Sequence, residues 1–175
     1  MSIILYHKGV IAADSRGIID QGKYTERLCG MLKLFSFGGK VVMGMVGDNT
    51  TIDWACKEFF YFSEKVIEME EGDLDTLPLS KDILERYGME DSTRTLCFMT
   101  RRHHYYVGVT GIIRWEKGIP WAAGNGMRTA LQSLSNGFDV ESSVRNAILM
   151  NPDCGGTVVI HHAKDLELIK RKKSK

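Results

Sequence analysis

The chain has 175 residues, of which 43% are hydrophobic and 26% are charged, so it is long enough to bury a core as a single domain. Its formal net charge of +1 creates no strong field for nucleic acid or for a membrane surface. No apolar run approaches the roughly 18 residues of a membrane span, and the start lacks the pattern of a signal peptide, so a cytoplasmic protein is expected.

The first half of the chain alternates pairs of predicted strands with a pair of predicted helices. Strands at 2–6 and 10–13 flank the turn residues around Lys8, and strands at 32–37 and 41–46 flank a second glycine-rich turn. A helix is then predicted over 50–70, where apolar residues recur in steps of three and four: Ile52, Ala55, Phe59, Phe62, Val66 and Met69. A shorter helix over 78–87 follows.

The second half contains three predicted strands, two helices and a final strand. The strands are expected at 95–99, 104–109 and 112–115, the helices at 127–137 and 140–150, and the last strand at 157–161. Asp139 is a suitable N-cap for the second of these helices. Two sheets with helix pairs outside them predict an α+β fold, a four-layer αββα sandwich, as a single domain over 1–169 with a basic tail at 170–175.

The first hairpin brings two chemically useful residues to one end of a sheet. If its turn centres on Lys8 or on the following peptide bond, Ser2 lies opposite Asp14 or Ser15, with Cβ atoms about 4.5–5.5 Å apart. If Met1 is removed, Ser2 carries a free α-amino group with a pKa of about 7.7–8.0. That amine can act as general base for the hydroxyl of its own residue, so this nucleophile requires no histidine.

Several segments resemble proteasome β-subunits and, among them, the HslV peptidase. The segment 9–16, Gly-Val-Ile-Ala-Ala-Asp-Ser-Arg, resembles the family's Gly-hydrophobic-Ala-Asp-x-Arg pattern, and 33–37 and 41–47 match the next segment in order. The stretches 123–126, 139–150 and 155–159 are similar to the C-terminal half of the family, so the likeness spans most of the chain. The resemblance implies an N-terminal-nucleophile hydrolase without a cofactor.

Carried over position by position, the resemblance implies an active site around Ser2, which stands where the family usually has threonine. Asp14 and Lys33 would form the buried charged pair beside it, with the lysine keeping positive potential near the amine. The backbone N–H of Gly47 would stabilise the oxyanion of the tetrahedral intermediate.

The supporting positions depart more from the family's pattern. Asn125 stands where the family often has a serine that assists the amine, and Cys154 replaces another supporting serine. The accompanying aspartate is either Asp153 or is replaced by Asn151. The candidate substrate-binding residues are Met45, Asp20 and Asn49.

The resemblance also implies a homo-oligomeric ring or stacked rings, in which polypeptide substrates are delivered to an inner chamber by an ATP-dependent unfoldase. The helix that starts near Thr50 is a candidate ring contact, because Trp54, Phe60 and Tyr61 extend its apolar surface beyond one buried stripe. Two alternatives stay open: a catalytically silent structural or regulatory relative, favoured if Met1 is retained, and a small-molecule amidohydrolase of the same superfamily.

Each of these residues also has a simpler interpretation. Taken alone, Ser2 is an ordinary residue after the initiator, Lys33 a solvated strand-end lysine, Asp14 a turn residue, Met45 a core residue and Gly47 a bend. The pairs His103-His104 and His161-His162 predict no metal site, because adjacent residues on a strand point to opposite faces. The four cysteines include no Cys-x-x-Cys pair, so neither a zinc site nor a disulfide framework is expected. The basic tail is interpreted as a solubilising end with no nucleic-acid partner.

Overall fold

The computed structural model describes residues 3–20, 25–29, 33–47, 57–87 and 95–171. The strands of this part of the chain are β1 (Ile4–His7), β2 (Val10–Asp14), β3 (Arg16–Asp20), β4 (Thr25–Cys29), β5 (Leu34–Phe37), β6 (Val41–Val46), β7 (Thr76–Pro78), β8 (Thr95–Met99), β9 (His104–Gly108), β10 (Gly111–Arg114), β11 (Trp121–Ala123) and β12 (Val158–His162). The helices are α1 (Phe59–Gly72), α2 (Lys81–Tyr87), α3 (Met127–Ser135) and α4 (Val140–Met150), with a short 3-10 helix at Ala163–Asp165.

The strands form two main antiparallel sheets and a separate hairpin. The four-stranded sheet has the order β11-β1-β2-β12, and the six-stranded sheet has the order β5-β6-β8-β9-β10-β7. Within the described part of the chain, β3 and β4 form a separate two-stranded sheet. The turn between β1 and β2 places Lys8 and Gly9 in the left-handed region, with φ angles of 47° and 78°. That backbone twist matches the twist of the two strands in a tight hairpin.

Three apolar layers hold the sheets and helices together. The middle layer lies between the two sheets and includes Ile4, Val42 and Met99. A second layer packs α1 and α2 on the six-stranded sheet through residues such as Phe62, and a third packs α3 and α4 on the four-stranded sheet through residues such as Val144. The order is therefore helix pair, sheet, sheet, helix pair, and the predicted α+β four-layer sandwich is confirmed.

Most of the predicted elements lie within a few residues of the observed ones. Helix α4 has the predicted bounds, and the side chain of Asp139 accepts a hydrogen bond from the N–H of Ser142 at 2.7 Å, as an N-cap does. Of the predicted apolar stripe of α1, Phe62, Val66 and Met69 are fully buried. The predicted start of this helix at 50–56 lies outside the described residues.

The bounds of one predicted helix were wrong, and four strands were not predicted. The helix predicted over 78–87 begins at Lys81, because Pro78 belongs to β7, an edge strand that pairs with β10. An edge position suits proline, whose missing N–H removes no internal ladder bond. The hairpin of β3 and β4 and the short strand β11 were likewise not predicted. Over the described ranges, no helix has the length and apolarity needed to cross a bilayer.

Candidate active site

The hairpin of β1 and β2 brings the beginning of the described chain to Asp14. Its register pairs Ile4 with Ala13 and His7 with Val10, so the turn centres on the bond between Lys8 and Gly9. One step beyond the paired strands, the N–H of Asp14 donates to the carbonyl oxygen of Ile3 at 3.2 Å. The N–H of Ile3 in turn donates to Asp14 Oδ1 at 3.0 Å. Ser2 lies outside the described residues, and its peptide bond joins it to this same nitrogen of Ile3.

The carboxylate of Asp14 collects donors from three distant parts of the chain. Besides Ile3, the ammonium of Lys33 forms an ion pair with Oδ1, and the N–H of Gly155 donates to Oδ2 at 2.9 Å. Both charged side chains are fully buried. A buried carboxylate needs such compensation, because an isolated charge in the interior is strongly unfavourable. Sequence reasoning had brought together Asp14 and Lys33, whereas the two backbone donors were missed.

The backbone of Lys33 is held by the neighbouring strand. It directly precedes β5, and its carbonyl oxygen accepts a hydrogen bond from the N–H of Met45 in the neighbouring strand β6 at 3.0 Å. Burial lowers the pKa of the Lys33 ammonium, and the charge and hydrogen bond of Asp14 offset only part of that effect. The site therefore holds a fixed cation whose proton is easier to remove than that of a surface lysine.

The loop between α4 and β12, which carries Gly155, forms with Asn125 a supporting wall beside the Asp14–Lys33 pair. Asn125 Nδ2 donates to Asp153 Oδ2 at 2.9 Å, and Asn151 Nδ2 donates to the carbonyl oxygen of Asn125 at 3.0 Å. Asn151 Oδ1 also accepts from the N–H of Asp153 at 3.0 Å. The sequence left open whether Asp153 or Asn151 takes the role of the accompanying aspartate. Both residues belong to one hydrogen-bond network with Asn125.

Cys154 lies inside that wall, next to Ile3. A Cβ added at Gly126 would lie 2.8 Å from Cys154 Sγ and 3.1 Å from the Cβ of Ile3, so these three residues meet without spare space. The Cys154 thiol is buried. Burial, aided by the negative charge of Asp14, raises its pKa to about 11, so at neutral pH the group is a thiol and not a thiolate.

A second cluster beside Asp14 was not singled out from the sequence. Ser15 Oγ lies 3.1 Å from Thr157 Oγ1 and accepts a hydrogen bond from the N–H of Thr157 at 2.8 Å. The guanidinium of Arg16 donates to the carbonyl oxygen of Pro152 at 2.9 Å. A side chain at Gly155 would collide with this guanidinium. The pair Gly155-Gly156, which begins a segment that resembles the family, was the available sequence signal of close approach between backbone segments.

For the remaining candidate residues, the structure describes the position of some and only the backbone, or nothing, of others. Gly47 is the residue that directly follows β6. The side chain of Met45 is fully buried in the core between the six-stranded sheet and its helices. The backbone of Asp20 ends β3, while its side chain lies outside what the structure describes, as does the whole of Asn49.

The first histidine pair takes structural positions in the described chain. His103 Nδ1 lies 3.0 Å from Glu70 Oε1, and His104 is stacked against Tyr6 with ring centroids 4.1 Å apart. Across the described ranges, no group of three or more histidine, cysteine, aspartate or glutamate side chains is arranged to hold a metal ion.

Comparison with known proteins gives structural likeness only. No protein-family model matches the sequence, and no curated protein matches it. The fold is similar to that of the eukaryotic HslV of Trypanosoma brucei, with a TM-score of 0.55 and 10% identity, covering 91% of this chain and 97% of that chain. It is also similar to BPH of Thiobacillus denitrificans, at 0.55 and 16%, covering 93% of this chain and 97% of that chain. A structure of the same BPH in complex with epoxomicin gives the same score and identity, covering 93% and 98%. The chain therefore shares the fold of HslV and BPH, in agreement with the fold that the sequence resemblance implies.

Proposed function

We propose that this chain is an HslV-type peptidase subunit in which Ser2, freed by removal of Met1, is the nucleophile. The observation that carries the proposal is the position of the buried Asp14–Lys33 pair. The nitrogen of Ile3, to which Ser2 is bonded, lies 3.0 Å from the carboxylate oxygen that also holds the Lys33 ammonium. A residue attached at that point starts beside a fixed cation.

The proposed reaction is acyl transfer to Ser2 followed by hydrolysis. The α-amine takes the proton of the Ser2 hydroxyl while Oγ forms a bond to the substrate carbonyl carbon. The N–H of Gly47 stabilises the oxyanion, and the α-ammonium returns the proton to the amine that leaves as the peptide bond breaks. In the second step the α-amine takes a proton from water as the water oxygen attacks the ester carbonyl carbon. The α-ammonium then gives that proton to Oγ, and Ser2 is released.

Lys33 contributes to this scheme through its charge. A cation beside the α-amine disfavours protonation of that amine and stabilises the developing negative charge on Oγ. Asp14 keeps the cation in place, and its bonds to the N–H groups of Ile3 and Gly155 keep Asp14 itself in place. In the proposed mechanism Asp14 and Lys33 are thus a fixed electrostatic unit, and Asn125, Asp153 and Cys154 form the supporting wall.

Epoxomicin supplies the direct test, since the similar BPH fold has been solved in complex with it. The purified protein is first analysed by intact-mass spectrometry for loss of Met1 and is then incubated with epoxomicin. We expect one inhibitor adduct per chain, located on the peptide that begins with Ser2. Ser2→Ala should lose the adduct, whereas Cys154→Ser should keep it.

Two results would contradict the proposal. A native preparation in which every chain still begins with Met1 would favour the silent structural relative, because an acylated nitrogen is not a base. Labelling that persists in Ser2→Ala would show that epoxomicin reacts elsewhere.

We further propose that the subunit works in a cytoplasmic homo-oligomeric ring that receives polypeptides from an ATP-dependent unfoldase. Apolar side chains left exposed on the single chain support an assembly: Phe60 of α1 is 64% exposed, and Leu149 at the end of α4 is 81% exposed. Light scattering coupled to size exclusion should give the mass of at least one ring. A monomer or dimer would instead favour the small-molecule amidohydrolase.

A further inference from the structure

A basic cleft lies at the end of the sheets away from Asp14. It has a volume of about 760 Å³, and its charged lining consists of Lys8, Arg101, Arg102, Lys117, Lys164 and Arg171. Lys8 lies in the turn after β1, five residues from Ile3, so the cleft is roughly 15 Å along the strand from the candidate active site. It is therefore a separate feature of the molecule.

The cleft combines segments that hydrogen bonds hold in place. The carbonyl oxygen of Gly9 accepts from the N–H of Ala163 at 2.7 Å, which ties the β1–β2 turn to the 3-10 helix. Arg101 Nη1 donates to the carbonyl oxygens of Lys164 and Leu166 at 3.0 and 2.9 Å, which ties the β8–β9 turn to the same helix. The fold thus brings the cationic groups of these segments together, and Arg171, which belongs to the basic tail at 170–175, is held by its pair with Asp73.

Most of the positive charge in the cleft has no carboxylate beside it. Arg171 pairs with Asp73 at 3.0 Å, and Arg102 lies 3.9 Å from the buried carboxylate of Glu70. Over the ranges that the structure describes, the other four cations have no carboxylate partner: Lys8, Arg101, Lys117 and Lys164. Among the described residues, no acidic side chain lines the cleft. On a chain with a net charge of only +1, such a concentration of one sign focuses the field into the cleft.

The chemistry of the lining favours phosphate groups. Guanidinium and ammonium groups form charge-assisted hydrogen bonds with phosphate oxygens, and several such groups in one concave site suit a compact polyanion. The volume falls in the range of small-molecule sites, which is about 300–1,000 Å³. The aromatic rings among the described lining residues are Tyr6, His103 and His162. Tyr6 is already stacked on His104 and His103 is held at Glu70, so these rings do not form a row of free faces for successive bases of a nucleic acid.

We infer that this cleft binds a small polyphosphorylated anion, which could be a nucleoside triphosphate or a phosphate ester or chain without a base. The recognised chemistry in either case is a run of phosphate groups. Lys117 and Lys164 are its free ammonium contacts, and Arg101 is its pre-positioned guanidinium.

Calorimetric titration of the full-length protein with inorganic tripolyphosphate at moderate salt tests the inference. We expect one site per chain and an affinity that falls as salt is added. The double variant Lys117→Gln/Lys164→Gln should weaken binding by about tenfold or more, the effect of losing at least one hydrogen bond to a charged group. The matched control Lys81→Gln/Arg128→Gln removes the same charge outside the cleft and should bind as the parent protein does.

Parallel titrations identify the source of the phosphates and the outcomes that overturn the inference. ATP binding tenfold tighter than tripolyphosphate would assign a nucleotide, and equal affinity would assign recognition of the phosphate chain alone. Absence of binding, or equal weakening by the control variant, would overturn the site. So would a single-stranded oligonucleotide or polyglutamate that binds and is not displaced by tripolyphosphate. Ser2→Ala should bind normally, so this result is independent of the proposed peptidase activity.

Discussion

The Lys33 ammonium meets the Asp14 carboxylate in an ion pair whose side chains are 1% and 0% exposed. The two residues are 19 positions apart, and Asp14 ends β2 of one sheet while Lys33 precedes β5 of the other. The pair thus joins the two sheets at one edge of the sandwich. Breaking a buried pair by removing one partner leaves a charge without compensation, which is far more unfavourable than losing a surface pair.

Lys33→Met should therefore destabilise the protein by about 3–5 kcal/mol, measured as the free energy of unfolding in urea. The control is Lys81→Met, which removes a lysine whose pair with Glu85 is largely exposed and should leave the free energy nearly unchanged. Adding Asp14→Asn to Lys33→Met should recover part of the loss, since no buried charge then remains. Equal effects of Lys33→Met and Lys81→Met would contradict this account of the pair.

His104 should make the protein sensitive to acid. Burial between Tyr6 and Trp121 lowers its pKa to about 3, and in the described chain neither ring nitrogen has a hydrogen-bond partner. Between pH 6.5 and about 3 the unfolded chain binds a proton at this residue and the folded chain does not, so stability falls as the pH is lowered. The contribution is fully present above pH 6.5 and is lost by about 1.4 kcal/mol per pH unit below it.

Urea unfolding between pH 4 and 7 measures this slope. His104→Phe keeps an aromatic ring in the stack and should flatten the slope, while Tyr6→Phe keeps the imidazole buried and should retain it. An unchanged slope in His104→Phe would assign the acid sensitivity to other groups.

Gly155→Ala tests the close approach of the α4–β12 loop to Arg16. The new Cβ would collide with the guanidinium, which must give up its hydrogen bond to Pro152 to move away, so we expect a loss of about 1 kcal/mol in unfolding free energy. The double variant Gly155→Ala/Arg16→Ala removes the colliding group and should be more stable than the sum of the two single changes predicts. Additive effects would mean that the alanine is tolerated by a shift of the loop.

Cys154 should be protected from alkylation in the folded protein. Its pKa of about 11 leaves about 100-fold less thiolate than an ordinary thiol of pKa 9.0 would have, and burial further restricts access. Iodoacetamide labelling followed by peptide mass spectrometry should show slow modification of Cys154 in buffer and rapid modification in urea. Rapid labelling of the native protein would show that the loop opens, and it would make Cys154 a competing target for reactive inhibitors.

Patterns in the sequence predicted the helices and turns that are determined by neighbouring residues, such as caps, turn residues and apolar spacing. The N-cap Asp139 and the apolar spacing after it define α4, and the residues at Lys8 and Gly9 define the first turn. Strand β7 was not predicted because Pro78 argues against a strand unless its edge position is known. The β3–β4 hairpin was not predicted because its sequences, Arg-Gly-Ile-Ile-Asp and Thr-Glu-Arg-Leu-Cys, lack a clear alternation of polar and apolar residues.

The candidate site shows the same division between local and distant information. The positions of Asp14 and Lys33 came from a family resemblance, and no local rule would have paired them. The donor Gly155 is 141 residues from Asp14. The pair Gly155-Gly156 indicated only that two backbone segments come close, without indicating which ones. A strand-pairing prediction for β2 and β12, which places Val158 opposite Asp14, would have brought this loop to the site.

The three donors to Asp14 within the described residues lie at positions 3, 33 and 155, so its compensation draws on distant parts of the polypeptide. During synthesis from the amino end, this site stays incomplete until β12, which lies within the last fifth of the chain, has emerged and joined β2. A nascent or truncated subunit therefore has the first hairpin without the electrostatic setting around it. The order of translation by itself therefore prevents the Asp14–Lys33 site from being completed before the rest of the domain has been synthesised.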